Sequence, residues 1–417
     1  MDHYEPGEEF ARSLDAADPL GAFRDRFELP AGGDGRVYLL GHSLGPLPRA
    51  TRAEVAAELD AWAARGVESY FEPPRSWLEV DDRHRRTMAG LVGARPDEVA
   101  LTGSLTANLH LLLASFFRPR GQRFRVLVER PAFPSDRFAI ETQLAWHGID
   151  PDTGVIEVGD GAYGPIRETD IERILAERGD GIALVFVGGV NYLTGEALDV
   201  ARITRAAHAA GCPAGFDLAH AAGNVPLALH DAGVDFAAWC TYKYLNAGPG
   251  AVAGLFVHER HASPATFRLG GWWGVDPDAR FEMDGASFTP RPDAAGWQLS
   301  CPPVLAMAPL GPALAMFEEA GMPALRAKSE RLTRYLEWLL DGADALEQIT
   351  PRDPARRGAQ LSYRVRDADG LRAGLSARGV DVDVRAPDVL RLAPAPLFNS
   401  FHDVWRAARL ALELTGG

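Results

Sequence analysis

The chain has 417 residues, which at roughly 150 residues per domain points to two or three structural units. Its 57 acidic and 43 basic residues leave a net charge of −14, so there is no basic excess to hold a nucleic-acid backbone or an anionic membrane surface. Hydrophobic residues make up 47% and charged residues 24%, which excludes wholesale disorder, and no run of about 18 apolar residues predicts a membrane-spanning helix.

The start, MDHYEPGEEFARSL, is acidic and polar, unlike a secretory signal. Cys212, Cys240 and Cys301 form neither a CxxC pair nor a zinc spacing, so the expected compartment is the reducing cytoplasm, and no metal site is expected. Residues 1–35 read as a short helix and an irregular lead-in ending in Ala31-Gly-Gly-Asp-Gly. Val37–Leu40 reads as a short strand before the turn GHSLGPLP. Thr51 to about Arg65 is helical, with Val55, Leu59 and Trp62 on one apolar face. GVESYFEPPRSW is a loop, and 80–92 is helical.

From about residue 100 the pattern alternates. Val99–Thr102 is short and apolar, and GSLTANLHLLLASFF is a turn feeding a helix. Strands are predicted at Arg125–Glu129, Gly181–Val187, Pro213–Asp217, Val234–Tyr242 and Ala251–His258, with a helix at Val200–Ala210. Alternating strands and helices define an α/β unit on a mainly parallel sheet, whose ligands sit beyond the carboxyl ends of the strands. After about 303 the texture changes to helices, including Leu325–Leu340. Strands follow at Gln360–Val365, Val382–Val384 and Val389–Leu392, then a last helix at Phe401–Leu414. The expected organisation is an N-terminal segment 1–45, a large domain 46–305 and a small α+β domain 306–417.

The polar residues after the apolar runs carry the chemistry. Lys243 follows VDFAAWCTY and precedes LNAGPG. A partly desolvated lysine there is a nucleophile for carbonyl chemistry, although a snorkelling strand end has the same look. Asp217 closes AGFD; it either caps the next turn or pairs with a cationic ring nitrogen. The two together, 26 residues apart, fit a pyridoxal 5′-phosphate site in which Asp217 keeps the pyridine protonated and Lys243 forms the Schiff base. Gly103-Ser104-Leu105-Thr106-Ala107-Asn108 before a strong helix suits a phosphate, or is a plain N-cap. Phe133 after RVLVERPA either stacks on the pyridine or fills the core. Neither a Walker A sequence nor a GxGxxG after a strand is present.

GSLTANLHLLLASFF, PAFPSD, GFDLAHAAGN, WCTYKYLNAGPG, GGWWG and RLAPAPLFNSFHD, in order from about 38 to 405, together resemble the kynureninase family. The resemblance implies the fold type I architecture of aspartate aminotransferase, with a mainly parallel seven-stranded-type sheet, and a pyridoxal-phosphate homodimer acting on a small amino acid in tryptophan catabolism. It implies that Lys243 forms the Schiff base and moves the α-proton, that Asp217 pairs with the pyridine nitrogen, and that Tyr242 binds phosphate and transfers protons. It further implies that Leu105 and Thr106 bind phosphate and that Phe133 stacks on the ring, with Asp136 and His220 in support. Trp272 would reach the neighbouring subunit's phosphate, and Arg391 would hold the substrate α-carboxylate.

Three positions depart from the family pattern. Cys301 stands where Asn usually precedes Pro-Pro, Tyr70 where the loop usually carries His, and Gly188 where some members have Ser. Asn and His there belong to the aryl end of the pocket, so a changed ring or acyl substituent is expected beside the intact cofactor set. The expected reaction is hydrolysis of kynurenine, or a ring-substituted kynurenine such as 3-hydroxykynurenine, at Cβ–Cγ to an anthranilate-type acid and L-alanine. The alternatives are another fold type I reaction (cleavage of a non-kynurenine γ-keto amino acid, β-elimination or transamination) and, last, a catalytically silent binding protein.

Overall fold

The computed structural model describes residues 4–30, 35–161, 163–284 and 287–416, so most of the glycine-rich lead-in at 31–35 lies outside the described residues. The chain opens with α1 (Glu8–Ala16), the short strands β1 (Phe27–Glu28), β2 (Val37–Tyr38) and β3 (Leu47–Pro48), then α2 (Thr51–Arg65) and α3 (Arg85–Val92). The large unit follows with β4 (Val99–Leu101), α4 (Leu105–Phe116), β5 (Arg125–Glu129), α5 (Pro134–Trp146), α6 (Pro151–Gly154) and β6 (Val155–Val158). It continues through α7 (Glu168–Arg178), β7 (Ile182–Gly188), α8 (Val200–Ala209), β8 (Ala214–Asp217), β9 (Phe236–Trp239) and β10 (Gly254–Val257). The remainder comprises α9 (Val304–Met307), α10 (Leu310–Ala320), α11 (Met322–Leu340), β11 (Glu347–Gln348), β12 (Leu361–Arg364), α12 (Ala368–Ala377), β13 (Val380–Asp381), β14 (Asp383–Arg385), β15 (Val389–Leu392) and α13 (Phe401–Thr415).

The main sheet has seven strands in the order β4-β10-β9-β8-β7-β5-β6. It is parallel except for β10, which runs antiparallel to both β9 and β4. Every residue of β7 is buried because helices cover both faces of the sheet. Val185 and Val187 point into one core, Leu184 and Phe186 into the other. Close packing leaves little slack. At Gly215 in β8 a methyl group would sit 2.1 Å from the Phe236 ring, which itself stacks on Phe116 at 4.7 Å. Gly215→Ala is expected to cost about 1–3 kcal/mol, read as a lower denaturation midpoint with an unchanged m-value.

One expectation is corrected here, and one helix predicted correctly proves to face outward. The strand expected over Val234–Tyr242 ends at Trp239, and Thr241 to Lys243 turn away from the sheet, with Thr241 Oγ1 donating to Val252 O at 2.6 Å. The apolar face of α2 does not pack inward: Leu59 and Trp62 are 44% and 60% exposed. Of the two buried residues on that helix, Thr51 and Glu58, the second accepts from Trp77 Nε1 at 2.7 Å and pairs with Arg83 and Arg75. Those partners satisfy a buried carboxylate and so turn the helix outward.

A third core joins α11, α13 and the four-stranded sheet β11-β12-β15-β14, and it includes Ala11, Val37 and Leu39 from the N-terminal segment. β2 pairs in parallel with β13 through Val37 and Val380, which carries the GHSLG turn to the small sheet. Among the described residues no helix is long and apolar enough to cross a membrane.

Candidate active site

A cavity of about 390 Å³ opens beyond the carboxyl ends of β5, β7 and β8, where Glu129, Gly188 and Asp217 stand. Of the residues singled out from the sequence, Leu105, Thr106, Phe133, Asp136, Gly188, Asp217, His220, Tyr242, Lys243 and Arg391 all line it. Tyr70, Cys301 and Trp272 do not.

Lys243 reaches the cavity from the turn after β9. Three backbone bonds hold that turn: Asn246 N to Lys243 O at 3.0 Å, Ala247 N to Thr241 O at 3.0 Å, and Gly45 N to Tyr242 O at 2.8 Å. Asn246 accepts a positive φ of 58° to close it. Lys243 Nζ lies 5.6 Å from the centroid of Phe133, the residue before α5. Facing them, Asp217 Oδ1 accepts from Ala219 N at 2.7 Å, so capping and a ligand role are compatible in one carboxylate.

Asp217 has two buried acidic neighbours. Burial, and then the charge of Asp217, raise Asp136 well above the carboxylate range, which leaves it protonated against Asp217. Glu129, pushed up to about 8 by burial, is also neutral at pH 7; its Oε2 accepts from Gly188 N at 2.6 Å. A side chain at 188 would begin 2.8 Å from Glu129 Oε1, so glycine there lets the carboxyl lie against the strand. His220 is kept neutral by burial and then by Lys243 and Arg391, and its Nδ1 has no partner. Asp136 Oδ1 is likewise unpartnered.

At the other side, Gly103 (φ 55°) turns the chain into α4, where a methyl group would meet Asn108 Oδ1 at 2.7 Å. No side chain caps α4, so its first N–H groups lie beside Ser104, Leu105 and Thr106 at the cavity wall. Such an end attracts an anion. Arg391 on β15 is fully buried; its Nη1 donates to Tyr192 O at 2.5 Å, its Nη2 pairs with Asp383, and its Nε is unpartnered.

The residues outside the cavity cluster elsewhere. Tyr70 packs edge-on to Trp77 at 5.2 Å, and burial together with nearby Cys301 pushes its hydroxyl pKa up. Cys301 is exposed. Trp272, 44% exposed, donates to Arg280 O at 2.8 Å and meets Phe281 at 5.9 Å.

Sequence reasoning missed His42, Ser43, Glu129, Tyr192 and Arg385, which also line the cavity. Glu129 had a signal, a charged residue closing an apolar strand. The others sit on turns or on the small sheet, where only the tertiary arrangement brings them in.

An anion-binding helix start, an aromatic face, a buried carboxylate pair and a lysine around one cavity fit a phosphorylated pyridine aldehyde. The unpartnered Asp136 Oδ1 and His220 Nδ1 are the buried polar atoms such a group would satisfy. With the seven-stranded sheet, they define the fold type I class of pyridoxal-phosphate enzymes. A cysteine desulfurase from Escherichia coli superposes with a TM-score of 0.76 at 20% identity, covering 95% of this chain and 98% of that one. One from Thermococcus onnurineus gives 0.74 at 17%, covering 92% and 95%.

Residues 325–410 match the kynureninase C-terminal domain family. A kynureninase of Xanthomonas euvesicatoria is 52% identical over 404 residues, 94% of this chain and 95% of its own. Those of Myxococcus xanthus and Salinispora tropica are 51% and 50% identical, covering 97% and 96% of this chain and 96% of each of their own. The chain belongs to the kynureninase family.

Proposed function

We propose that this chain is a pyridoxal-phosphate-dependent hydrolase that cleaves kynurenine, or a ring-substituted kynurenine, at Cβ–Cγ to an anthranilate-type acid and L-alanine. The observation that carries this reading is the gathering of Lys243, Asp217, Tyr242 and Arg391 in one cavity of a chain about half identical to kynureninases over nearly its whole length. The bound cofactor supplies an electron sink conjugated with the amino-acid Cα.

In this reading Asp217 holds the pyridine nitrogen proton, and neutral Asp136 keeps a second negative charge away from it. Ser104, Leu105 and Thr106 hold the phosphate at the start of α4, with Tyr242, and Phe133 stacks on the ring. Lys243 anchors the aldehyde carbon and takes the substrate α-proton. Arg391 holds the α-carboxylate. Water adds to the γ-carbonyl, the Cβ–Cγ bond breaks, the acyl carbon leaves as the carboxylic acid, and Tyr242 protonates Cβ. Burial and the neighbouring Cys240 raise the Tyr242 pKa, so the hydroxyl keeps its proton at neutral pH and can donate it. A γ-keto group is required because it is the electrophile that water attacks.

The working unit in this reading is a homodimer in the cytoplasm. Phe71, Phe281 and Trp272 form an exposed aromatic chain with centroids 6.2 and 5.9 Å apart, next to Tyr70 and Cys301. A second copy covering it places Tyr70, Cys301 and Trp272 at the partner's cavity, where they read the aryl ring and the phosphate. Phe71→Asp with Phe281→Asp is expected to halve the mass by light scattering and to remove activity together with it. An unchanged mass would show that the subunits meet elsewhere.

The decisive assay supplies kynurenine, 3-hydroxykynurenine and other ring-substituted kynurenines to purified protein with pyridoxal phosphate and quantifies alanine and aromatic acid. Equal amounts of both from at least one of them are expected. Cofactor binding without alanine from any would sink this reading. The rank order tests the role of Tyr70 and Cys301, and a best kcat/KM on unsubstituted kynurenine or 3-hydroxykynurenine would mean that neither replacement alters the ring specificity.

A further inference from the structure

One carboxylate ties together three side chains of the cavity wall. Asp383 lies directly opposite Arg391 in the antiparallel pairing of β14 with β15, and Arg385, two residues along β14, shares its face. Asp383 pairs with Arg391 Nη2, its Oδ1 accepts from Arg385 Nη1 at 3.2 Å, and its Oδ2 lies 3.4 Å from His42 Nε2. Arg391, Arg385 and His42 all line the cavity, whereas Asp383 does not and so stands behind them.

The charge count follows. Two guanidiniums and one carboxylate leave 2 − 1 = +1. His42 adds nothing to this: it is wholly buried, neither ring nitrogen has a hydrogen bond, and burial followed by the charge of Arg391 pushes its pKa down to about 3. The remaining charges at the cavity, Lys243 and Asp217, belong to the cofactor side in the reading above. The substrate end therefore holds a single uncompensated positive charge, and Arg391 Nε is a buried donor without a partner. An amino acid with one carboxylate satisfies both. A second carboxylate would meet Asp383 with no cation left to offset it.

We propose that Asp383 is a specificity-determining residue that sets the charge of the substrate-carboxylate end, so that the site takes amino acids with one carboxylate and rejects those with two. This rests on Arg391 being the α-carboxylate site. Asp383 touches no substrate in this scheme; it acts through the two arginines.

The test uses the cofactor-loaded enzyme, titrated with L-alanine and with L-aspartate and read from the visible absorption of the bound cofactor. That signal follows amino-acid binding whether or not kynurenine is cleaved, so failure of the hydrolase reading is scored separately. The wild type is expected to favour L-alanine. Asp383→Asn frees one guanidinium and is expected to shift the Kd ratio toward L-aspartate by at least about tenfold. Asp383→Glu, and the double variant Asp383→Asn with Arg385→Gln that returns the count to +1, are both expected to restore the wild-type preference. A ratio unchanged in Asp383→Asn, with both constants weakened alike, would show a merely structural ion pair and overturn the proposal. So would a double variant that folds and keeps the aspartate preference. If Asp383→Asn alone fails to fold, Arg385→Gln decides. It lowers the count to zero and must weaken both ligands, L-aspartate more; an unchanged ratio there overturns the proposal equally.

Discussion

Replacing Lys243 by alanine is expected to cut alanine release from kynurenine by at least about 10³-fold and to leave the cofactor removable by gel filtration. Lys243 is the only lysine lining the cavity among the described residues, and its Nζ faces the Phe133 ring. No other amine there can anchor an aldehyde or take the α-proton. The fold is expected to survive, because backbone bonds from Gly45, Asn246 and Ala247 hold the turn, not the lysine side chain. Lys243→Arg is expected to be as inactive as the alanine variant, since a guanidinium keeps its proton and cannot attack a carbonyl. The measurement is turnover of the reconstituted variants beside their circular dichroism. A folded Lys243→Ala enzyme with full turnover would remove Lys243 from the mechanism.

If Arg391 holds the α-carboxylate as proposed, Arg391→Ala is expected to lower kcat/KM by about 10²–10³-fold, chiefly through KM, because that buried charge-assisted pair would be lost before and during the reaction alike. The same change takes Asp383's strongest partner away and is expected to reduce folding stability, by at most the roughly 3–5 kcal/mol of a broken buried pair. Arg385 remains on Asp383 Oδ1 and limits that loss. Arg391→Lys keeps the charge but not the fork, and should recover stability more fully than KM. Steady-state constants and melting curves on the same preparations separate the two effects. An unchanged KM in a stable Arg391→Ala enzyme would place the α-carboxylate elsewhere.

Much of the large unit was legible because its strands are short apolar runs ended by a chemically distinctive residue. Arg125–Glu129 was located to the residue, as was Val389–Leu392 in the small sheet, and Pro213–Asp217 and Gly181–Val187 to within one at each end. The strands' terminal residues, Glu129, Gly188 and Asp217, open onto the cavity as a parallel sheet requires. The antiparallel direction of β10 was not legible, since a buried strand reads the same in either direction. The exposure of Leu59 and Trp62 was also hidden. Periodicity shows which residues share a helix face, not whether that face meets this chain's core or another surface.

The line between the two kinds of information runs through the site itself. Lys243, Asp217, Phe133 and the start of α4 could be singled out from the sequence alone, because each stands at the end of a recognisable apolar run or the start of a strong helix. His42, Asp383 and Arg385 were decided only by the tertiary structure. They are brought together when β2 docks on β13, more than 300 residues further along the chain, and when β14 pairs with its near neighbour β15. Charge balance depends on distance in space and on burial, and neither can be read from spacing along the chain.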